Sequence, residues 1–181
     1  MITIDRAKRI LSYGQTAFLK TEEVASIASI KPVTLRQWIK RGHLELRFSP
    51  QVKTGKTMLF SFEALVETMA FASLSRLGFP PNRFSGDLAS IMTSQAFLYL
   101  YDITNTWREY SNLSDEERNY QRYVIVFYDP PQDDLEWFIT STTTPEEEIF
   151  DGTWIVLDSH LLMQRAIEGL DRLKDQYKAK E

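Results

Sequence analysis

Two clusters of residues have the types and spacing to meet a nucleic acid. The first lies in KPVTLRQWIKR, residues 31–41, which offers Lys31, Thr34, Arg36, Gln37, Lys40 and Arg41 within three helical turns. Arginine and lysine reach the acceptors of guanine in the major groove, and glutamine pairs with both major-groove atoms of adenine. Arg36 is the foremost candidate for a base contact, and Lys31, near the helix start, is suited to a phosphate. The second cluster, KTGK, holds Lys53, Thr54 and Lys56 around a glycine turn. These are phosphate contacts by type, which position a protein on a duplex without reading its sequence. The plain alternative is a set of solvated charges, and an isolated basic helix would be read that way.

Other chemistries find little support. The absence of cysteine excludes disulfides and thiolate metal sites. His43 and His160 are far apart, so a metal centre would need a mostly carboxylate shell that nothing organises. Asp133, Asp134, Glu146, Glu147, Glu148 and Asp151 read as solvated loop charges. No Ser–His–Asp order and no phosphate-cradling glycine loop is present, so no catalytic residue, cofactor or metal is expected.

The first cluster needs two elements to position it. Phe18-Leu19 begins a short extended segment, and Thr21 is placed to cap a helix whose first turn holds Glu22 and Glu23, where the helix dipole favours carboxylates. Val24, Ala25, Ile27 and Ala28 follow at helical spacing. The SIKP stretch breaks this helix, and Pro32 suits the first turn of the next. That second helix runs to Lys40 or Arg41, with Val33, Leu35, Trp38 and Ile39 expected on its inner side. Gly42 stops it, and His43 reads as a surface or cap residue. Leu44, Leu46 and Phe48 alternate, as do Met58 and Phe60, on either side of the basic turn, predicting a hairpin. Ser61 caps a further helix with Leu65, Met69, Ala72 and Leu77 at core spacing, ended by Gly78.

Beyond the corner PPNRF, a helix is expected from Ser85 to about Tyr110, then three strands at 122–128, 135–141 and 153–157. Asp158 or Ser159 caps a final helix bearing Leu161 or Leu162, Ala166, Leu170 and Leu173. Tyr123, Phe127, Tyr128, Trp137, Phe138, Phe150 and Trp154 suit a core plus a dimer face, with a ligand pocket as the alternative. Hydrophobic residues at 43% and aromatics at 13% suffice for a core, which sets disorder aside. The chain shows no signal peptide and no apolar run of membrane-spanning length, so a cytoplasmic protein is expected. The net charge of −4 conceals a split. Residues 1–90 hold thirteen Lys and Arg against seven Asp and Glu, and residues 91–181 hold eight against eighteen. A basic half beside an acidic one fits a chain of which one part meets a polyanion.

Residues 18–90 resemble the DNA-binding domain of the MerR-like winged-helix regulators. The likeness lies in an ordered set of features: Val24-Ala25, the triplet Thr34-Leu35-Arg36, Trp38, Gly42 with Leu44, a glycine-containing wing, Phe60-Ser61, and the sequence LSRLGF closing the next helix. Gln37 and Ile39 depart from the family's paired aromatic and acid, the arginine that commonly follows the wing glycine is missing, and the metal-sensing cysteines are absent. The resemblance implies duplex DNA binding, usually as a dimer, and carries over no effector. The expected architecture is therefore α+β: a basic arm or short helix (1–17), a winged helix-turn-helix (18–84), and a C-terminal αβββα module (85–181) for dimerisation or effector binding. The expected function is a sequence-specific transcription regulator of bacterial or phage type, with double-stranded DNA and a second copy of the chain as partners. The rivals are an excisionase-like or small-terminase-like DNA-binding factor, or a protein-interaction module on the same fold.

Overall fold

The computed structural model describes residues 2–14, 16–46, 53–54, 57–104, 123–129, 134–139 and 153–179. Its class is α+β, with two small antiparallel sheets among helices. The first part contains α1 (Ile4–Tyr13), β1 (Leu19–Lys20), α2 (Thr21–Ile27), α3 (Pro32–Lys40), β2 (Lys53–Thr54), β3 (Thr57–Phe60) and α4 (Phe62–Arg76). The second contains α5 (Arg83–Thr104), β4 (Tyr123–Asp129), β5 (Asp134–Ile139), β6 (Thr153–Asp158) and α6 (Ser159–Lys178). No helix among the described residues is long and apolar enough to cross a membrane.

The structure is built around α4. Phe62, Leu65, Val66, Ala70, Phe71 and Leu74 are all buried, and apolar side chains cover nearly its whole circumference. A helix apolar on all sides has to be enclosed, and α5, α6, α2 and β3 pack against it. Ser61 caps it by accepting from the Ala64 amide at 3.1 Å. The hydrophobic cluster is continuous from Ala7 and Ile10 of α1 to Met163 and Ile167 of α6. Residue 84 is therefore no gap in the packing: α5 and α6 lie on α4 itself. The segment 1–17 is a helix with Ala7 and Ile10 turned inward, and Arg6 pairs with Asp171 of α6.

Three helices end in the same way. After α2, the Ser29 amide donates to Ser26 and the Ile30 amide to Ala25, at 3.1 and 2.9 Å. After α3, Gly42 donates to Ile39 and His43 to Trp38, at 3.1 and 3.0 Å; after α4, Gly78 donates to Ser75 and Phe79 to Leu74, at 3.2 and 3.1 Å. This double closure needs one residue with a left-handed backbone. Gly42 (φ 69°) and Gly78 (φ 94°) supply it without steric cost, whereas Ser29 (φ 57°) takes up the same conformation against its Cβ.

Several expectations change. Thr21 is the first helical residue of α2, and Lys20 occupies the cap; the Glu23 carboxylate reaches back to the Lys20 amide at 2.7 Å and does the capping instead. Leu44 and Leu46 are both buried with Glu45 exposed between them, yet residues 44–46 form no strand: Leu46 has a left-handed backbone (φ 49°), which extended pairing does not admit. The hairpin consists of β2 against β3, Lys53 opposite Met58 and Thr54 opposite Thr57, with β1 on the other edge of β3. Phe48 lies outside the described residues. Leu77 follows the last turn of α4 and is exposed, so Leu74 takes the core position. The corner helix starts at Arg83, where Asn82 accepts from the Ser85 amide at 3.0 Å; its extension past Thr104 lies outside the described residues.

In the second sheet β4 is central, with β5 and β6 antiparallel on its two edges. Val124 and Leu157 turn into the common core. The side chains of Phe127, Tyr128, Trp137, Phe138 and Trp154, and all of Phe150, lie outside the described residues. Asp158 caps α6, accepting from the His160 and Leu161 amides at 2.9 and 3.1 Å. Leu162 is buried and Leu161 exposed. The His160 ring stacks on Tyr99 of α5, with centroids 3.6 Å apart and planes at 22°.

Candidate nucleic-acid interface

The surface of α3 follows from what anchors its other side. Leu35 is completely buried and Trp38 nearly so, and the Trp38 ring lies 4.7 Å from that of Phe71 on α4, tilted by 58°. An aromatic pair of this geometry is worth about 0.5–1.5 kcal/mol beyond its buried area. Trp38 therefore fixes the rotation of α3 about its own axis. The turn before α3 is held from α4 as well: the Arg76 guanidinium donates to the Ala28 carbonyl and the Ser73 hydroxyl, both at 3.1 Å. Pro32 in the first turn costs no hydrogen bond there.

With Leu35 and Trp38 inward, helical periodicity puts residues 33, 36, 37 and 40 on the opposite face. Val33, Arg36, Gln37 and Lys40 are all exposed. The helix carries no acidic residue. Lys31 caps its start and Arg41 its end, both exposed, so these two flank the central face. Thr34 is half-buried at the edge of the face, a poorer position for a base contact than its hydroxyl alone suggests. Lys53 and Thr54 are on the β2 strand, their side chains outside the described residues; Lys56 lies wholly outside them.

Val33 is the residue that sequence periodicity misplaces. A valine one position past a helix-starting proline looks like core, yet 52% of it is exposed. The signal that could have found it was its spacing of three, four and seven from Arg36, Gln37 and Lys40.

A carboxylate borders this face. Glu22, in the first turn of α2, accepts from the Arg36 guanidinium at 2.6 Å. Both side chains are more than half exposed, so the pair is worth at most about 1 kcal/mol and can be opened by a competing acceptor. Glu23 faces elsewhere, capping α2 and bonding the Tyr177 hydroxyl of α6. That carboxylate raises the Tyr177 phenol above its ordinary range, by hydrogen bonding first and charge second.

Elsewhere, a groove of about 320 Å³ runs between α1 and α6, floored by Ile10, Ile167 and Leu170 and crossed by the Arg6–Asp171 pair. No group of three His, Asp or Glu among the described residues could hold a metal ion. In comparison with known proteins, no family model matches the chain and no curated protein sequence matches it.

Proposed function

We propose that α2, the turn at Ala28–Lys31, α3 and the β2–β3 hairpin act as a winged helix-turn-helix that binds duplex DNA by sequence, as the resemblance to MerR-like regulators implies. The observation that carries this reading is the face of α3: Arg36, Gln37 and Lys40 exposed together, opposite a rigid Leu35–Trp38 anchor. Such a face meets the requirements of a recognition helix, polar donors outward and core inward. Lys31 and Arg41 at the two ends, with Lys53 and Lys56 of the hairpin, are assigned to phosphates. The chain acts as a transcription regulator, and the second half supplies self-association. Within the second sheet, β5 and β6 each pair on one side with β4, and Val156 of β6 and Leu161 in the first turn of α6 expose apolar side chains.

The test is selection from a random duplex library with the whole chain, followed by binding titrations of Arg36→Ala and Lys40→Ala. Enrichment of one sequence is expected, with Arg36→Ala losing about 5- to 160-fold and relaxing preference at one base pair. Enrichment of nothing would assign the fold to protein contacts instead.

A further inference from the structure

We infer that Val33 is a specificity residue that packs against the 5-methyl group of a thymine in the major groove, next to the base pairs reached by Arg36 and Gln37. The inference rests on the DNA-binding reading above and deepens it by naming a base that the site must contain.

Val33 is the only large apolar side chain exposed on α3 among the described residues. Neither packing nor helix propensity accounts for it. Its side chain is not enclosed, and a β-branched residue at a solvated helical position is inferior to the Ala, Lys or Glu that would serve there. Its surroundings are also unlike those of an apolar protein contact. Arg36 and Gln37 stand one turn away on the same face, Lys40 two turns away, and Lys31 caps the helix beside it. A protein partner covering Val33 would have to bury those four polar groups as well. The major groove combines what this face needs: acceptors on guanine and adenine for Arg36 and Gln37, phosphates for the lysines, and one apolar element, the thymine methyl. Val33 occupies the second helical position of α3, and it is the N-terminal residues of a recognition helix that approach base edges most closely. Of the other exposed apolar residues, Tyr13 on α1 borders a groove that mixes Asp5 and Asp171 with Arg6 and Arg9, and Tyr177 on α6 bonds Glu23, so neither stands on a face free of carboxylates.

Uracil provides a test that alters one methyl group and nothing else. The duplex enriched by the whole chain is remade with deoxyuridine in place of each thymidine in turn, and each version is titrated with wild-type protein and with Val33→Ala. At one position the wild type is expected to lose about fourfold in affinity, the worth of one buried methyl. Val33→Ala is expected to bind the thymine and uracil versions equally. Its unfolding midpoint should not fall, because the side chain is outside the core and alanine is the better helix former. If a duplex is enriched but no uracil position separates the two proteins, the thymine contact is wrong and DNA binding stands. If no duplex is enriched, both readings fall.

Discussion

At the scale of single residues, the ion pair between Arg36 and Glu22 is the feature with the clearest consequence. Glu22 holds the guanidinium while the surface is empty, and its negative charge opposes any phosphate that approaches. A correctly placed guanine offers two acceptors and can replace it; a phosphate in an unrelated sequence gains less. Glu22→Gln is thus expected to raise affinity for scrambled DNA several-fold and to narrow the preference for the selected site. Stability should change by less than about 1 kcal/mol, since the pair is exposed. Equal specificity ratios for variant and wild type, measured at one salt concentration, would remove Glu22 from the account. Glu63 supplies a second prediction. Its carboxyl is half-buried beside Gly14 and the edge of Phe97, one oxygen has no hydrogen-bond partner, and burial raises its pKa from 4.5 to about 7. The folded chain therefore keeps a proton that the unfolded chain releases between those values. Its contribution to stability is fully present below pH 4.5 and is lost as pH rises through 7. Its position in the first turn of α4 offsets this by some tenths of a kcal/mol. Solvent screening of a half-exposed carboxylate lowers the effect further, so Glu63→Gln should gain at most roughly 2 kcal/mol over wild type at pH 8 and little at pH 4.5, read by urea unfolding at both. Residue types were legible for Arg36, Gln37 and Lys40, because charge and amide groups announce their own chemistry. Val33 and Leu77 were not, because an apolar side chain says only that burial would be favourable. Whether it is achieved depends on helix rotation and on where the helix stops.

At the scale of elements, the bounds of α3 and α4 were readable wherever a backbone conformation demanded a particular residue. Proline opened α3, and glycine closed both helices through a positive φ. The end of α2 was legible only as a break, since Ser29 adopts the same conformation without being the residue that prefers it. Ser29→Gly should accordingly stabilise the protein by about 0.5–1 kcal/mol without disturbing DNA binding. The close approaches between elements were not legible at all. A Cβ on Gly86 would stand 2.3 Å from the His43 carbonyl oxygen, so α5 crosses the end of α3 at a distance only glycine permits. Gly86→Ala must push against backbone, and a loss of about 1–3 kcal/mol in urea unfolding is expected. A Cβ on Gly169 would meet the Ile27 side chain equally closely, which brings α6 against α2. The Tyr177–Glu23 hydrogen bond ties the same two helices at the far end.

At the scale of the whole molecule, these contacts make the proposed reading surface part of one packed body. The basic first half and the acidic second half share a hydrophobic cluster, so a change on α6 has a physical route to α2 and from there to α3. The sequence marked the two halves by charge but could not tell that α5 and α6 would be laid over α4, because long-range packing leaves no periodic trace. The charge split also sets the expected binding behaviour. Attraction should come from the basic first half, with the acidic second half repelling DNA. The most direct measurement is a fluorescence-anisotropy titration of the whole chain against its enriched duplex and a scrambled duplex, over roughly 50–300 mM salt. The account predicts affinity for both that falls steeply with salt, and a preference for the enriched duplex of about a thousandfold or more. Equal affinity for the two duplexes, or no binding at the lowest salt, would contradict it.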